Sequence, residues 1–262
     1  MSSFRQDPVS KDWIIMAPER VSRPHFVIPE KRAKRSFPKR NCPFENLEKR
    51  SNWPPILSLP SDKSWSVVMV PNGFPALVHY PACANIRREG PYNVGEGVGH
   101  HDLVITKDHK KNIAELSINR ATDVLRIVQK RCLILAQDRC LLYTSMFFNW
   151  GMTAGASIPH PHYQVLTMPI IPPDVHHSLS GSERYFKKHR RCVHCDMLAY
   201  ERKFKKRIVA ENPRAIAVAP FASREPFEVK VFPKKHFPFF EKTPFGDLKG
   251  TTAILQAILK KM

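Results

Sequence analysis

The chain predicts an α+β fold of antiparallel sheets with packing helices, and three observations carry that prediction. His160-Pro161-His162-Tyr163-Gln164 alternates so that, in a strand, its two histidines and its glutamine share one face. Ala121, Val124, Leu125, Val128, Cys132 and Leu135 recur at helical spacing. An order of parts also occurs twice: a cysteine with a cysteine or glutamate three positions on, strand, Lys-x-His, helix. The first set is Cys42, Glu45 and Lys107-Asp108-His109; the second is Cys192, Cys195 and Lys234-Lys235-His236. A duplicated unit follows, divided near residue 172 into 1–172 and 173–262.

Along the chain, Asp7-Pro8-Val9-Ser10 predicts a turn and Trp13-Ile14-Ile15-Met16 a short strand, with a second turn at Pro18 and then Arg20 and Arg23. Residues 29–41 form a basic loop before Cys42-Pro43-Phe44-Glu45. Trp65 to Val70 is an apolar strand ending in the turn Pro71-Asn72-Gly73, where asparagine supports an Asx turn. The glycines of 95–99 make a turn and not a dinucleotide fingerprint, because a strand and no helix follows them. His100 and His101 are given turn or surface roles there, and His109 closes the strand. A packing helix is expected from about Glu115 to Leu142, with Cys132 and Cys140 on one face, and a strand from Tyr143 to Asn149. The apolar run Val165 to Ile171 ends at Pro172-Pro173. A Lys- and Arg-rich segment, strands at 215–220 and 227–232, and a helix at 248–260 complete the order.

Histidines on one strand face can be metal ligands, a nucleophile with its neighbour, a general base, or partly buried polar groups. The run before them narrows the choice. Gly151, Ala154, Gly155, Ala156 and Ser157 would let phosphate oxygens approach backbone N–H groups. Pro159 and Pro161 stiffen the segment. A loop built for close approach and followed by same-face histidines points to a phosphate-handling site.

The segment from Gly155 to Gln164 resembles the active-site segment of galactose-1-phosphate uridylyltransferases, members of the histidine-triad superfamily, and more loosely that of nucleotide-sugar phosphorylases. The resemblance implies duplicated histidine-triad units. It implies that His162 attacks the α-phosphorus of UDP-glucose and carries a uridylyl group to a hexose 1-phosphate, galactose 1-phosphate, in ping-pong fashion. Gln164 would donate to a nonbridging oxygen, while Arg20, Arg23, Asn72, Asn149, Gly155 and Ser157 would lie along the nucleotide and its phosphates. Zinc is implied at two places: Cys42, Glu45, His109 and His160, with glutamate where the family has a second cysteine, and Cys192, Cys195 and His236. In sequence, 51 residues separate His109 from His160, and the same interval from His236 runs past Met262, so the second unit is expected to be incomplete. A dimer in which both chains complete a site is a further implication.

Composition limits the alternatives. At 42% apolar residues the chain is globular; it has no apolar run near the roughly 20 residues that span a bilayer, so no membrane role and a cytoplasmic location are expected. The net charge of +19 is densest at Lys31–Arg40, Lys187–Arg191 and Arg202–Arg207 and favours anionic partners. Six cysteines, unevenly placed, suit metal or core roles better than a disulfide framework. Two other functions fit the same residues: a nucleotide-sugar phosphorylase with inorganic phosphate as acceptor, and a noncatalytic zinc module that binds nucleic acid through its basic clusters.

Overall fold

The computed structural model describes residues 3–16, 38–49, 54–79, 82–151, 154–156 and 158–262. It falls into two compact units, one formed by Ser36–Ile171 with Phe237–Thr252, the other by Met1–Arg35, Pro172–His236 and Ala253–Met262. Both are discontinuous, whereas a linear division places one change of unit at residue 172.

In chain order the first elements belong to the second of these units. Strands β1 (Ser3–Gln6) and β2 (Trp13–Met16) pair antiparallel. The turn between them is built on Asp7, whose Oδ1 accepts from Val9 N at 2.7 Å and Ser10 N at 2.9 Å.

The other unit carries the larger sheet. Its strands are β3 (Leu57–Leu59), β4 (Val67–Pro71), β7 (His100–Thr106), β8 (Tyr143–Phe147) and β9 (His162–Met168). Their spatial order is β3-β4-β7-β9-β8, with every neighbour antiparallel. A separate exposed hairpin joins β5 (Ile86–Glu89) to β6 (Tyr92–Gly95) through Gly90 at φ 59°. Register sorts the two faces of the large sheet. Val68, Val70, Leu103 and Ile105 face the segment Cys42, Phe44 and Leu47, and His101, His162 and Gln164 share that parity. Met69, Val104, Asp102, Tyr163 and Val165 share the opposite parity. There Asp102 meets Arg131, one of the buried residues of helix α1 (Ile118–Leu135).

Helix α1 starts where Ser117 Oγ accepts from Arg120 N. It stops seven residues before the expected end at Leu142, because the backbone turns at Ala136–Asp138 and Asp138 Oδ1 takes Cys140 N at 2.9 Å. Cys140 is therefore off the helix and does not share a face with Cys132. It forms a disulfide with Cys83, so for this pair the expectation of metal or core roles is corrected.

The remaining elements are α2 (Pro173–His189), α3 (Val193–Phe204), β10 (Ile208–Glu211), β11 (Ala215–Val218), β12 (Lys230–Pro233) and α4 (Phe245–Leu259). The Lys- and Arg-rich segment is thus helical. Pro173 at its first turn costs no hydrogen bond, and Arg190 in the left-handed region ends it. Strands β10, β11 and β12 pair in that order, and Ala215 and Ala217 pack with Ile254 and Ile258 of α4.

The repeat is visible in this layout. Three antiparallel neighbours, β3-β4-β7 or β10-β11-β12, precede a histidine three residues past the last strand, His109 or His236, and then a helix. After α1 the chain adds β8 and β9. Among the described residues the first of these sheets has five strands and the second three.

Candidate functional site

His160 stands just before β9 and is 1% exposed. Its Nε2 lies 2.8 Å from the Thr106 carbonyl, which can only accept, so Nε2 carries the proton and Nδ1 keeps its lone pair. That lone pair points at a cluster: Cys42 Sγ is 3.5 Å from His160 Nδ1 and Glu45 Oε1 3.7 Å, while His109 Nδ1 is 2.6 Å from Glu45 Oε1. One donor atom from each of Cys42, Glu45, His109 and His160 lies within 4.8 Å of the others. Burial, the largest influence, pushes His160 below its ordinary pKa and so favours the neutral, ligating ring. A thiolate, a carboxylate and two imidazoles around one buried point suit a four-coordinate zinc, and the Thr106 carbonyl supplies the outer hydrogen bond that orients such a ligand.

His162 opens β9 two residues later, half-buried. Its Nδ1 lies 3.0 Å from the His160 carbonyl and must donate to it, so Nε2 is the nitrogen with a lone pair. The ring is held at a second point by Phe44, 5.2 Å away between centroids, which also packs edge-on against His160 at 5.6 Å. A neutral imidazole with its N–H engaged behind it is chemically a nucleophile or a base. Gln164, on the same strand face, accepts from His101 through Oε1 at 2.9 Å.

The nucleotide-side candidates are placed less evenly. Asn72 Oδ1 accepts from Phe74 N at 3.0 Å, so the Asx turn forms, and its Nδ2 lies against His101. Asn149 is half-buried just past β8. Gly155 has φ 80°, and a Cβ built there would meet nothing of the described residues within 4 Å. The amides of Ala154 and Ala156 donate to the Gly151 carbonyl, which leaves fewer loop donors for a phosphate than the sequence suggested. Arg20, Arg23 and Ser157 lie outside the described residues.

Cys192, Cys195 and His236 come together in the other unit, with Cys195 Sγ 3.2 Å from His236 Nδ1. This three-donor group is more exposed than the first. Cys192 sits at the N-cap of α3, so the first turn of that helix returns Cys195 to it.

His101 corrects the sequence analysis. It is 9% exposed, holds neither a surface nor a simple turn role, and takes Ala76 N at 3.0 Å as well as bonding Gln164. The available signal was parity: His101, Leu103 and Ile105 alternate, so His101 shares the core-facing side. His100 is tied down too, by Arg131 at 3.0 Å and by stacking on His79 at 4.6 Å. Phe44 was the other omission, since nothing in its own spacing marks an aromatic as a support for histidines.

Comparison with known proteins gives a consistent picture. Residues 1–172 match the family model described as galactose-1-phosphate uridyl transferase, N-terminal domain. An ADP-glucose phosphorylase from Arabidopsis thaliana is 31% identical across 99% of this chain and 74% of its own length. A galactose-1-phosphate uridylyltransferase from Thermotoga maritima is 26% identical across 100% of this chain and 76% of its own. The crystal structure of an ADP-glucose phosphorylase from Arabidopsis thaliana with bound ADP-glucose superposes with a TM-score of 0.81 at 28% identity, covering all of this chain and 77% of that one.

Proposed function

Since the chain belongs to the galactose-1-phosphate uridylyltransferase family, whose members transfer nucleotidyl groups on sugar phosphates, we propose that it moves UMP from UDP-glucose to galactose 1-phosphate through a covalent uridylyl-His162. The observation that carries this reading is the hydrogen bond from His162 Nδ1 to the His160 carbonyl, because it leaves Nε2 as the free lone pair on an anchored ring.

In the first step His162 Nε2 bonds to the α-phosphorus and the bond from that phosphorus to the bridging oxygen breaks. Glucose 1-phosphate leaves with the electron pair. In the second, a phosphate oxygen of galactose 1-phosphate attacks the same phosphorus and the P–N bond breaks, restoring the imidazole. The Nδ1–H stays on the His160 carbonyl through both steps and offsets the positive charge that the ring gains on phosphorylation. Gln164, on the same strand face, would donate to a nonbridging oxygen.

Zinc belongs in this proposal as a structural ion. Cys42, Glu45, His109 and His160 would hold it, tying the segment before β3 to the ends of β7 and β9 and fixing the backbone on which His162 is mounted. No proton or phosphoryl transfer is assigned to it.

A phosphorylase reading has its own support in the 31% identity to an ADP-glucose phosphorylase. It keeps the covalent step and replaces the acceptor with inorganic phosphate. Isotope exchange tests the shared step: labelled glucose 1-phosphate should enter UDP-glucose with no second acceptor present. Discharge by galactose 1-phosphate, against discharge by inorganic phosphate with ADP-glucose as donor, separates the two readings. Absence of exchange with both donors would contradict the covalent step.

A further inference from the structure

One buried side chain beside the site has no part in the reaction as written. His101 lies on β7 diagonally across from Gln164 of β9, since Leu103 is the residue paired directly with Gln164. Long side chains reach one another across such a diagonal. The ring is held from two sides. Its Nδ1 is 3.0 Å from Ala76 N and its Nε2 is 2.9 Å from Gln164 Oε1.

The proton positions follow from these partners. A backbone amide can only donate, so Ala76 N–H makes Nδ1 the acceptor. A neutral imidazole has one N–H, which is then on Nε2. An N–H on Nε2 requires an acceptor opposite, and this sets Gln164 with Oε1 toward His101 and its NH2 end turned away. Asn72 Nδ2 also lies 3.1 Å from Nε2 and 3.4 Å from Nδ1; its own Oδ1 is occupied by Phe74 N, and as a donor its NH2 can be taken only by the Nδ1 lone pair, which agrees with the same tautomer. The turn itself is pinned to β7, because Asn72 N donates to the His101 carbonyl at 2.8 Å.

We propose that His101 is a positioning residue that fixes which way round the Gln164 amide stands, so that its NH2 and not its carbonyl is offered to the phosphate oxygens of the substrate. This rests on the reaction proposed above. A glutamine on an open strand face can present either end of its amide, and the wrong end puts a carbonyl oxygen against a phosphate oxygen. Ala76 and His101 remove that choice before substrate arrives, which is the preorganisation that electrostatic stabilisation requires. His101 touches no reacting atom.

The test uses the full chain and three proteins: wild type, His101→Leu and His101→Gln. Glutamine at 101 can restore a donor near the ε position, whereas leucine fills the space without one. With UDP-glucose or ADP-glucose and no acceptor, the single-turnover rate of nucleotidylation at His162 should fall about tenfold to a hundredfold in His101→Leu. Affinity for the nucleotide sugar should change less than about threefold, and His101→Gln should recover most of the rate. An unchanged rate in His101→Leu overturns the inference. So does an equal loss of rate and affinity that His101→Gln does not repair, because that marks a merely structural residue. Nitrogen-15 spectra of the side chains give a readout independent of turnover: the His101 ring should be the Nε2–H tautomer, and the Gln164 amide resonance should move in His101→Leu. An Nδ1–H tautomer overturns the inference whatever the activity. Wild type that stays unlabelled while showing the Nε2–H tautomer overturns the proposed reaction and leaves the pairing in place.

Discussion

Backbone carbonyls set the chemistry of this site at the scale of single residues. Thr106 O and His160 O each take one imidazole N–H, and they give neighbouring histidines opposite assignments: Nδ1 as the lone pair on His160, Nε2 on His162. One ring is thereby turned toward Cys42 and Glu45, while the other keeps the Nε2 lone pair that the proposed attack needs. His162→Ala should reduce nucleotidyl transfer on the order of 10⁴-fold with the melting temperature little changed, checked by steady-state rates beside a thermal melt. Glu45 is the departure from the family pattern. Purified protein should contain zinc by elemental analysis, Glu45→Ala should lose it with a fall of roughly 5–10 °C in melting temperature, and Glu45→Cys should retain it against stronger chelators. Same-face histidines were legible from spacing, whereas the grouping of Cys42, Glu45, His109 and His160 came from the family resemblance. His101 was not, because its significance depends on a turn 25 residues away whose amide fixes its tautomer.

His100 supplies a pH dependence at the same scale. Burial, then Arg131 and His79, pull its pKa from the ordinary 6.5 down to about 4, with Asp138 acting weakly the other way. The folded state therefore binds this proton less readily than the unfolded chain. Its contribution is fully present above about pH 6.5 and is lost as pH falls through the window down to about 4. Denaturant melts at pH 7, 5.5 and 4.5 should show declining stability, and His100→Gln should flatten that decline.

Elements were legible where period was strong and were misjudged where capping decides. The 3.6-residue pattern located α1, but its end is set by the turn at Ala136–Asp138, and Leu141 and Leu142 prolonged the apolar pattern beyond it. Two of the three basic clusters fall at helix ends: Lys187 and Lys188 in the last turn of α2, Arg202 and Lys203 in the last turn of α3. Cations there meet the negative end of the helix dipole, which gives them a structural role apart from any anionic partner. The helix α2 also carries a sharp test of packing. Gly181 is buried, and a Cβ built on it would lie 1.6 Å from the Val9 carbonyl oxygen in the turn between β1 and β2. Glycine to alanine in a helix interior ordinarily stabilises by up to about 1 kcal/mol. Here Gly181→Ala should destabilise by about 2 kcal/mol, because backbone and not a flexible side chain must give way. Urea unfolding measures the sign directly.

For the whole molecule, the duplication was legible because a cysteine with a cysteine or glutamate three positions on, and then Lys-x-His, recur in one order, and the strand orders β3-β4-β7 and β10-β11-β12 repeat it in space. The discontinuous units were not legible, since composition does not reveal that residues 3–16 group with 172–236 and 253–262, while 237–252 group with the five-stranded sheet. The row of His160, His162 and Gln164 lies entirely within the five-stranded unit, so that unit holds the proposed nucleophile, its support and the four candidate metal ligands together. The proposed reaction passes through one nitrogen of that row, His162 Nε2. The most direct measurement is to incubate the protein with UDP-glucose, and separately with ADP-glucose, without acceptor, and to map the adduct by peptide mass spectrometry. A nucleoside monophosphate on His162, discharged by galactose 1-phosphate or by inorganic phosphate, is the predicted result. A labelled peptide that lacks His162, or turnover with no adduct in rapidly quenched samples, would contradict it.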